Sequence, residues 1–172
     1  PKASSVDIAA AEDESDTIFA SVTSFLTPTT LWLGDAGART AAEVKALPAR
    51  FDASTHVTEQ FEATSKDGTK IPYFVVRPKA MKLDGRNPTL LYAYGGFQVS
   101  MTPAYSATTG KLWLENGGVY VLANIRGGGE FGPAWHQAGL KGERQRIYDD
   151  FAAVAQDLVA RKITSPRRLG IQ

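Results

Sequence analysis

Three glycines in "IRGGGEFG", Gly127, Gly129 and Gly132, fit the spacing G-x-G-x-x-G directly after an apolar run. Such a loop cradles a dinucleotide pyrophosphate when it opens a long helix and an acidic residue follows about 20 positions later at the tip of the next strand. Asp149 and Asp150 lie near that distance, but at the start of a helix, with no strand between. The plainer expectation is a tight turn at a strand end, with Arg126 and Glu130 paired across it. A second candidate is "YAYGGF", Tyr92 to Phe97. There the Tyr94 hydroxyl could donate to an oxyanion, and Gly95 and Gly96 would let a substrate approach the backbone. Taken alone, the same residues read as a half-buried aromatic and a turn. His136, in "AWHQAGL", has Asp149 and Asp150 as candidate partners for proton transfer, yet no serine sits in a G-x-S-x-G elbow and a lone histidine is usually structural. His56 is expected at the surface, and Trp113 and Trp135 in packing roles. No cysteine is present, so any zinc site would need His56, His136 and carboxylates.

The elements that would carry these residues change character along the chain. "DTIFASVTSFLTPTTLWLGD", Asp16 to Asp35, reads as two β-segments split by the turn-prone "TPTT", the texture of a propeller blade or another all-β repeat. Ala36 to Ser54 reads as a connection and the best boundary. Next, "HVTEQFEATSKDGTKIPYFVVRP" predicts a hairpin about Asp67-Gly68, whose second arm holds Pro72 and is therefore expected at an edge. "PTLLYAY" and "GGVYVLANI" are apolar runs suited to strands buried on both faces, and "SATTGKLWLENG" leaves room for a short helix between them. Phe151, Val154, Ala155, Leu158 and Val159 predict a helix over Asp149 to Ile163, with Asp149 and Asp150 capping its start. "RRLGIQ" begins a further strand. Hairpin, strand, strand, helix, strand is an α/β sheet assembled in order.

Composition narrows the classes of function. The 172 residues are 43% hydrophobic and 22% charged, in the soluble globular range, with no apolar run able to span a bilayer. Nineteen Lys and Arg against 18 Asp and Glu leave a formal charge of +1, which gives nucleic acid no evident footing. The N-terminal stretch is acidic and lacks the pattern of a signal peptide. The expected setting is soluble, cytoplasmic or periplasmic. The first residue is proline and the chain stops as a strand begins, so a fragment is expected.

In this order and at these separations, "SKDGTKIP", "YAYGGF", "ANIRGGGEFGPAWHQAGL", "YDDF" and "TSPRRLGI" strongly resemble the prolyl oligopeptidase family of serine peptidases. The resemblance implies an α/β fold in which residues 1–52 are the last strands of a β-propeller and a linker. Residues 53–172 would then be the N-terminal half of an α/β-hydrolase sheet. It implies that Tyr94 is the side-chain donor of the oxyanion hole, that Phe97 lines the proline-accepting S1 pocket, and that Gly95 and Gly96 belong with Phe97 to the substrate-binding residues. The nucleophile elbow of the family would follow the fifth strand, so serine, acid and histidine would lie past Gln172. The implied partners are short proline-containing peptides and the remainder of the catalytic domain, with no cofactor, metal, nucleic acid or membrane. On this reading the segment by itself is inactive. A non-catalytic, partner-binding fragment with an open sheet edge and a dinucleotide-binding domain stand as the alternatives.

Overall fold

Aromatic and β-branched residues alternating with small polar ones build the first sheet of the computed structural model, which describes residues 3–172. Strands β1 (Ser4–Ala11), β2 (Thr17–Ser24), β3 (Thr30–Asp35) and β4 (Thr40–Ala46) form an antiparallel meander in the order β1-β2-β3-β4. The "TPTT" break falls between β2 and β3, where Ser24 Oγ accepts from Thr27 N at 2.9 Å. Two of these strands lie where none is predicted. Strand β4 is exposed along its whole length, so it leaves no hydrophobic pattern, and it corrects the reading of Ala36 to Ser54 as all connection. What links the two sheets is the shorter stretch 47–55, pinned by Arg50 N donating to Tyr105 Oη (2.7 Å) and Asp52 N to Glu115 Oε1 (2.8 Å).

The second sheet contains β5 (His56–Thr64), β6 (Lys70–Pro78), β7 (Thr89–Ala93), β8 (Val119–Ala123) and β9 (Leu169–Ile171), in the order β5-β6-β8-β7-β9. Pairs β5–β6 and β6–β8 are antiparallel, and β7 runs parallel to both β8 and β9. The expectation of an edge strand at Pro72 is wrong, because β6 lies between β5 and β8. The ladder to β8 starts only at Tyr73–Ala123, and the Pro72 carbonyl accepts from Asn124 N just beyond the end of β8 (3.0 Å). The missing N–H faces Asn124 as well, so the proline forgoes one bond at the end of the ladder and none within it.

Between β7 and β8 the chain makes a short helix, α1 (Ala107–Thr109), that continues as a π turn (Gly110–Leu114). After β8 come α2 (Pro133–Gln137) and the long helix α3 (Gln145–Ala160). The period of two in the sheet sends alternate residues to opposite cores. Tyr73, Val75, Val121 and Leu91 meet Val154 and Leu158 of α3, while Phe74, Val76 and Leu122 meet Phe25, Phe51 and Leu114. Phe25, from the loop after β2, packs on Phe74 with ring centroids 5.5 Å apart, which seats the first sheet on the second. Among the described residues no helix is long and apolar enough to cross a membrane.

Candidate active site

Parallel strand β7 ends at Ala93, and the loop that follows carries Tyr94, Gly95, Gly96 and Phe97 out of the sheet at its C-terminal edge, the side on which open α/β sheets bind ligands. The loop is held in an unusual conformation. Gly95 has φ 59°, and Phe97 and Gln98, both with side chains, follow at φ 50° and 56°. Non-glycine residues in this region cost on the order of 1–2 kcal/mol each, so the surroundings must over-determine the loop.

They do so through the glycine loop after β8. A Cβ on Gly127 would overlap the carbonyl oxygen of Gly95, and one on Gly129 would overlap that of Gln98. What approaches the glycine backbone is thus the neighbouring loop of the same chain, not a pyrophosphate. Gly129 N donates to Val99 O (3.1 Å), Met101 N to Glu130 Oε1 (2.9 Å), and Asn124 Nδ2 to Met101 O (2.8 Å). His136 Nδ1 lies 2.6 Å from Gly127 O; a carbonyl only accepts, so Nδ1 carries the proton, and Gln98 N then shares the same oxygen at 3.3 Å. Two more of the glycine amides are occupied, Gly127 N on Trp135 O (3.1 Å) and Gly132 N on Gly129 O (3.0 Å). The helix that follows the loop directly is α2, only five residues long.

Tyr94, Phe97, His136, Leu140, Arg144 and Ile147 enclose a cleft of about 500 Å³, within the usual range for a small-ligand site. Phe97 is 86% exposed and Tyr94 46%. Two aromatic side chains thus stand on one cleft with much of their surface uncovered.

Beneath the glycine loop lies a buried ionic cluster. Asp150 Oδ2 accepts from the backbone N (3.0 Å) and Nε (2.9 Å) of Arg126, and Oδ1 from Arg126 Nη2 (2.6 Å) and Ser65 Oγ (2.6 Å). Arg126 Nη1 also reaches Asp67 Oδ2 at 2.5 Å. One guanidinium therefore joins the β5–β6 turn, the glycine loop and α3. Three expectations are corrected here. Arg126 pairs with Asp150 and Asp67 and not with Glu130, whose carboxylate serves Met101 and Asn124. Helix α3 begins at Gln145, four residues early, so Asp150 is no cap but sits inside the helix at 0% exposure. Asp149 accepts from Gln145 Nε2 (3.1 Å).

The hydrogen bonds from Arg126 hold the Asp67 carboxyl well below its ordinary value of 3.8, aided by those from Thr69. A carboxyl depressed in the folded state adds stability above its unfolded value, and that stability is lost as pH falls toward the folded value. The urea midpoint is therefore expected to drop as pH is lowered from 5 to about 3, and Asp67→Asn to flatten part of that acid limb. Asp67 is 40% exposed, so salt should reduce the effect. An acid limb identical in the Asn variant would exclude Asp67 as a source.

The two histidines serve separate places. His56 is buried, against the surface expectation, because its Nε2 lies 3.0 Å from Leu114 O, where the π turn packs on β5. Among the described residues neither histidine hydrogen-bonds to a carboxylate, so the structure does not join His136 to Asp149 or Asp150. Trp113 and Trp135 brace the ends of β8, donating to Val119 O (2.8 Å) and Ile125 O (3.1 Å). Sequence reasoning missed the cleft residues Arg144 and Ile147, which carry no motif, and gave no role to Leu140, the last residue of "AWHQAGL". It also missed the role of Asp150, for which a signal existed: it shares the i, i+4, i+8 stripe of Val154 and Leu158, where an acid must find a partner.

The mixed α/β architecture with two sheets is shared with solved peptidase structures. Residues 103–172 match the prolyl oligopeptidase family. The chain is 60% identical over 99% of its length to an uncharacterized peptidase of Sinorhizobium fredii, spanning 24% of that protein. It is 38% identical over 90% of its length to a prolyl endopeptidase of Elizabethkingia meningoseptica, spanning 22% of it. It superposes on a post-proline cleaving enzyme from Rickettsia typhi with a TM-score of 0.86 at 44% identity, over 98% of this chain and 24% of that one. The sequence is thus related, over nearly its whole length, to the prolyl oligopeptidase family of peptidases, and it spans about a quarter of the proteins it matches.

Proposed function

We propose that the chain is part of a prolyl oligopeptidase-like serine endopeptidase that hydrolyses short peptides after proline through an acyl-enzyme. In this reading residues 1–52 belong to the end of a β-propeller, and residues 53–172 form the first part of an α/β-hydrolase domain whose remainder supplies serine, histidine and acid. The serine oxygen attacks the carbonyl carbon of the proline residue, and the histidine takes its proton and later gives it to the leaving amine. Tyr94 donates its hydroxyl hydrogen to the oxyanion that forms. Phe97 packs on the proline ring, and Gly95 and Gly96 leave the backbone open to the substrate.

The observation that carries this reading is the pair of exposed aromatics, Tyr94 and Phe97, on one cleft beyond β7, held there by a strained loop that the glycine loop locks from behind. The names of the relatives, prolyl endopeptidase and post-proline cleaving enzyme, favour proline over other residues. The test is the complete protein with a peptide carrying one proline and one lysine, and with its proline-to-alanine counterpart. Cleavage after proline is expected. Phe97→Ala should lower the proline-over-alanine ratio of kcat/KM by about tenfold, the lower end for losing apolar contact in a specificity pocket. Cleavage only after lysine would overturn the specificity, and an unaltered ratio would remove Phe97 from the pocket.

A further inference from the structure

The titratable side chains on the cleft are Tyr94, His136 and Arg144, and no carboxylate lines it. Arg144 is exposed. Among the described residues it has no ion-pair partner, although it sits in the highly charged stretch "KGERQR". The acids around it are committed elsewhere. Glu143 bonds to Arg146 at 2.8 Å, Asp67 holds Arg126 and lies 3.8 Å from Arg146, Asp150 is buried on Arg126, and Asp149 accepts from Gln145. A planar guanidinium with donors unpaired among the described residues, on a wall shared with Tyr94, Gln98 and His136 and bare of carboxylates, suits an anionic group, which in a peptide is a carboxylate bound through two parallel N–H···O bonds.

We infer that Arg144 makes this cleft select peptides that carry a carboxylate close to the cleaved bond, an acidic side chain or a free C-terminus. The inference rests on the peptidase reading above and adds a substrate class to it. Arg144 is a specificity-determining residue here and takes no part in bond making.

The experiment uses the complete enzyme and a set of peptides with one proline, differing only in Glu, Gln or Lys at a neighbouring position, each with a free or an amidated C-terminus. A single exposed ion pair supports a preference of about fivefold in kcat/KM for the carboxylate-bearing peptide, weakening with salt. Arg144→Gln should bring that ratio close to one, Arg144→Lys should keep part of it, and Arg144→Glu should favour the Lys peptide. The arm in which the ratio collapses, Glu against Gln or free against amidated, identifies the carboxylate. Cleavage after proline with a Glu-to-Gln and free-to-amide ratio untouched by Arg144→Gln overturns this inference alone. If R144Q loses stability to urea while the ratio stays, the guanidinium serves the fold, and the inference falls in the same way. No cleavage after proline in any peptide removes the peptidase reading as well.

Discussion

Replacing Tyr94 with phenylalanine in the complete enzyme is expected to lower kcat by about 10²-fold or more, with a much smaller change in KM. The substitution removes one oxygen from a side chain that is 46% exposed and that makes no hydrogen bond within the described residues, so the fold has little to lose. An oxyanion donor acts chiefly in the transition state, where the carbonyl oxygen carries its charge; the ground-state complex feels its absence weakly. The kinetic signature is therefore a loss in kcat with an unshifted urea midpoint. Equal turnover by wild type and Tyr94→Phe would dismiss the tyrosine as a donor, and equal losses in stability and turnover would make it a packing residue.

The second large effect falls on stability. Asp150→Ala should destabilise the protein by about 3–5 kcal/mol, because it leaves the buried Arg126 guanidinium with Asp67, 40% exposed, as its remaining carboxylate and only the Ser65 hydroxyl at 3.3 Å beside it. Against a typical total of about 5–15 kcal/mol, that brings the fold near its limit. The loss has a route to the cleft. Arg126 directly precedes Gly127, whose backbone the Gly95 loop rests on, and its backbone N–H is itself held by Asp150. Replacing both partners with apolar residues of similar size, Arg126→Met with Asp150→Leu, should recover part of the stability: no unpaired charge is left inside, but Ser65 Oγ and the residue-126 N–H lose the acceptor that Asp150 gives them. Urea midpoints of the single and double variants measure this directly. If Asp150→Ala proves as stable as wild type, the pair contributes nothing net.

Asp150 also shows how far the sequence could be read. Its apolar stripe with Val154 and Leu158 was there to see, and only the assumption that the helix starts at Asp149 turned it into a cap. The propensity signal for a helix start is weak where no side chain caps it, and α3 begins after Arg144 without such a cap. Strand β4 escaped for a related reason: every one of its residues is exposed, and it exists because β3 offers it a ladder. Pro72 misled in the opposite direction, because the rule that sends proline to an edge strand is really a rule about the one N–H it lacks.

What the sequence settled by itself was local in origin. Apolar runs marked the strands, Asp67-Gly68 marked the turn whose Gly68 takes φ 88°, and the ordered motifs pointed to the prolyl oligopeptidase family. The partners in space were not legible, because a hydrogen-bonding side chain has several acceptable partners and its own identity does not choose among them. Arg126 stands four residues from Glu130 in the chain and 24 from Asp150, yet the tertiary fold pairs it with Asp150. The glycines of "IRGGGEFG" announced that something must approach their backbone. That it is the Gly95–Gln98 loop was decided only when β7 and β8 paired in parallel and brought two loops, distant in sequence, out of the sheet side by side.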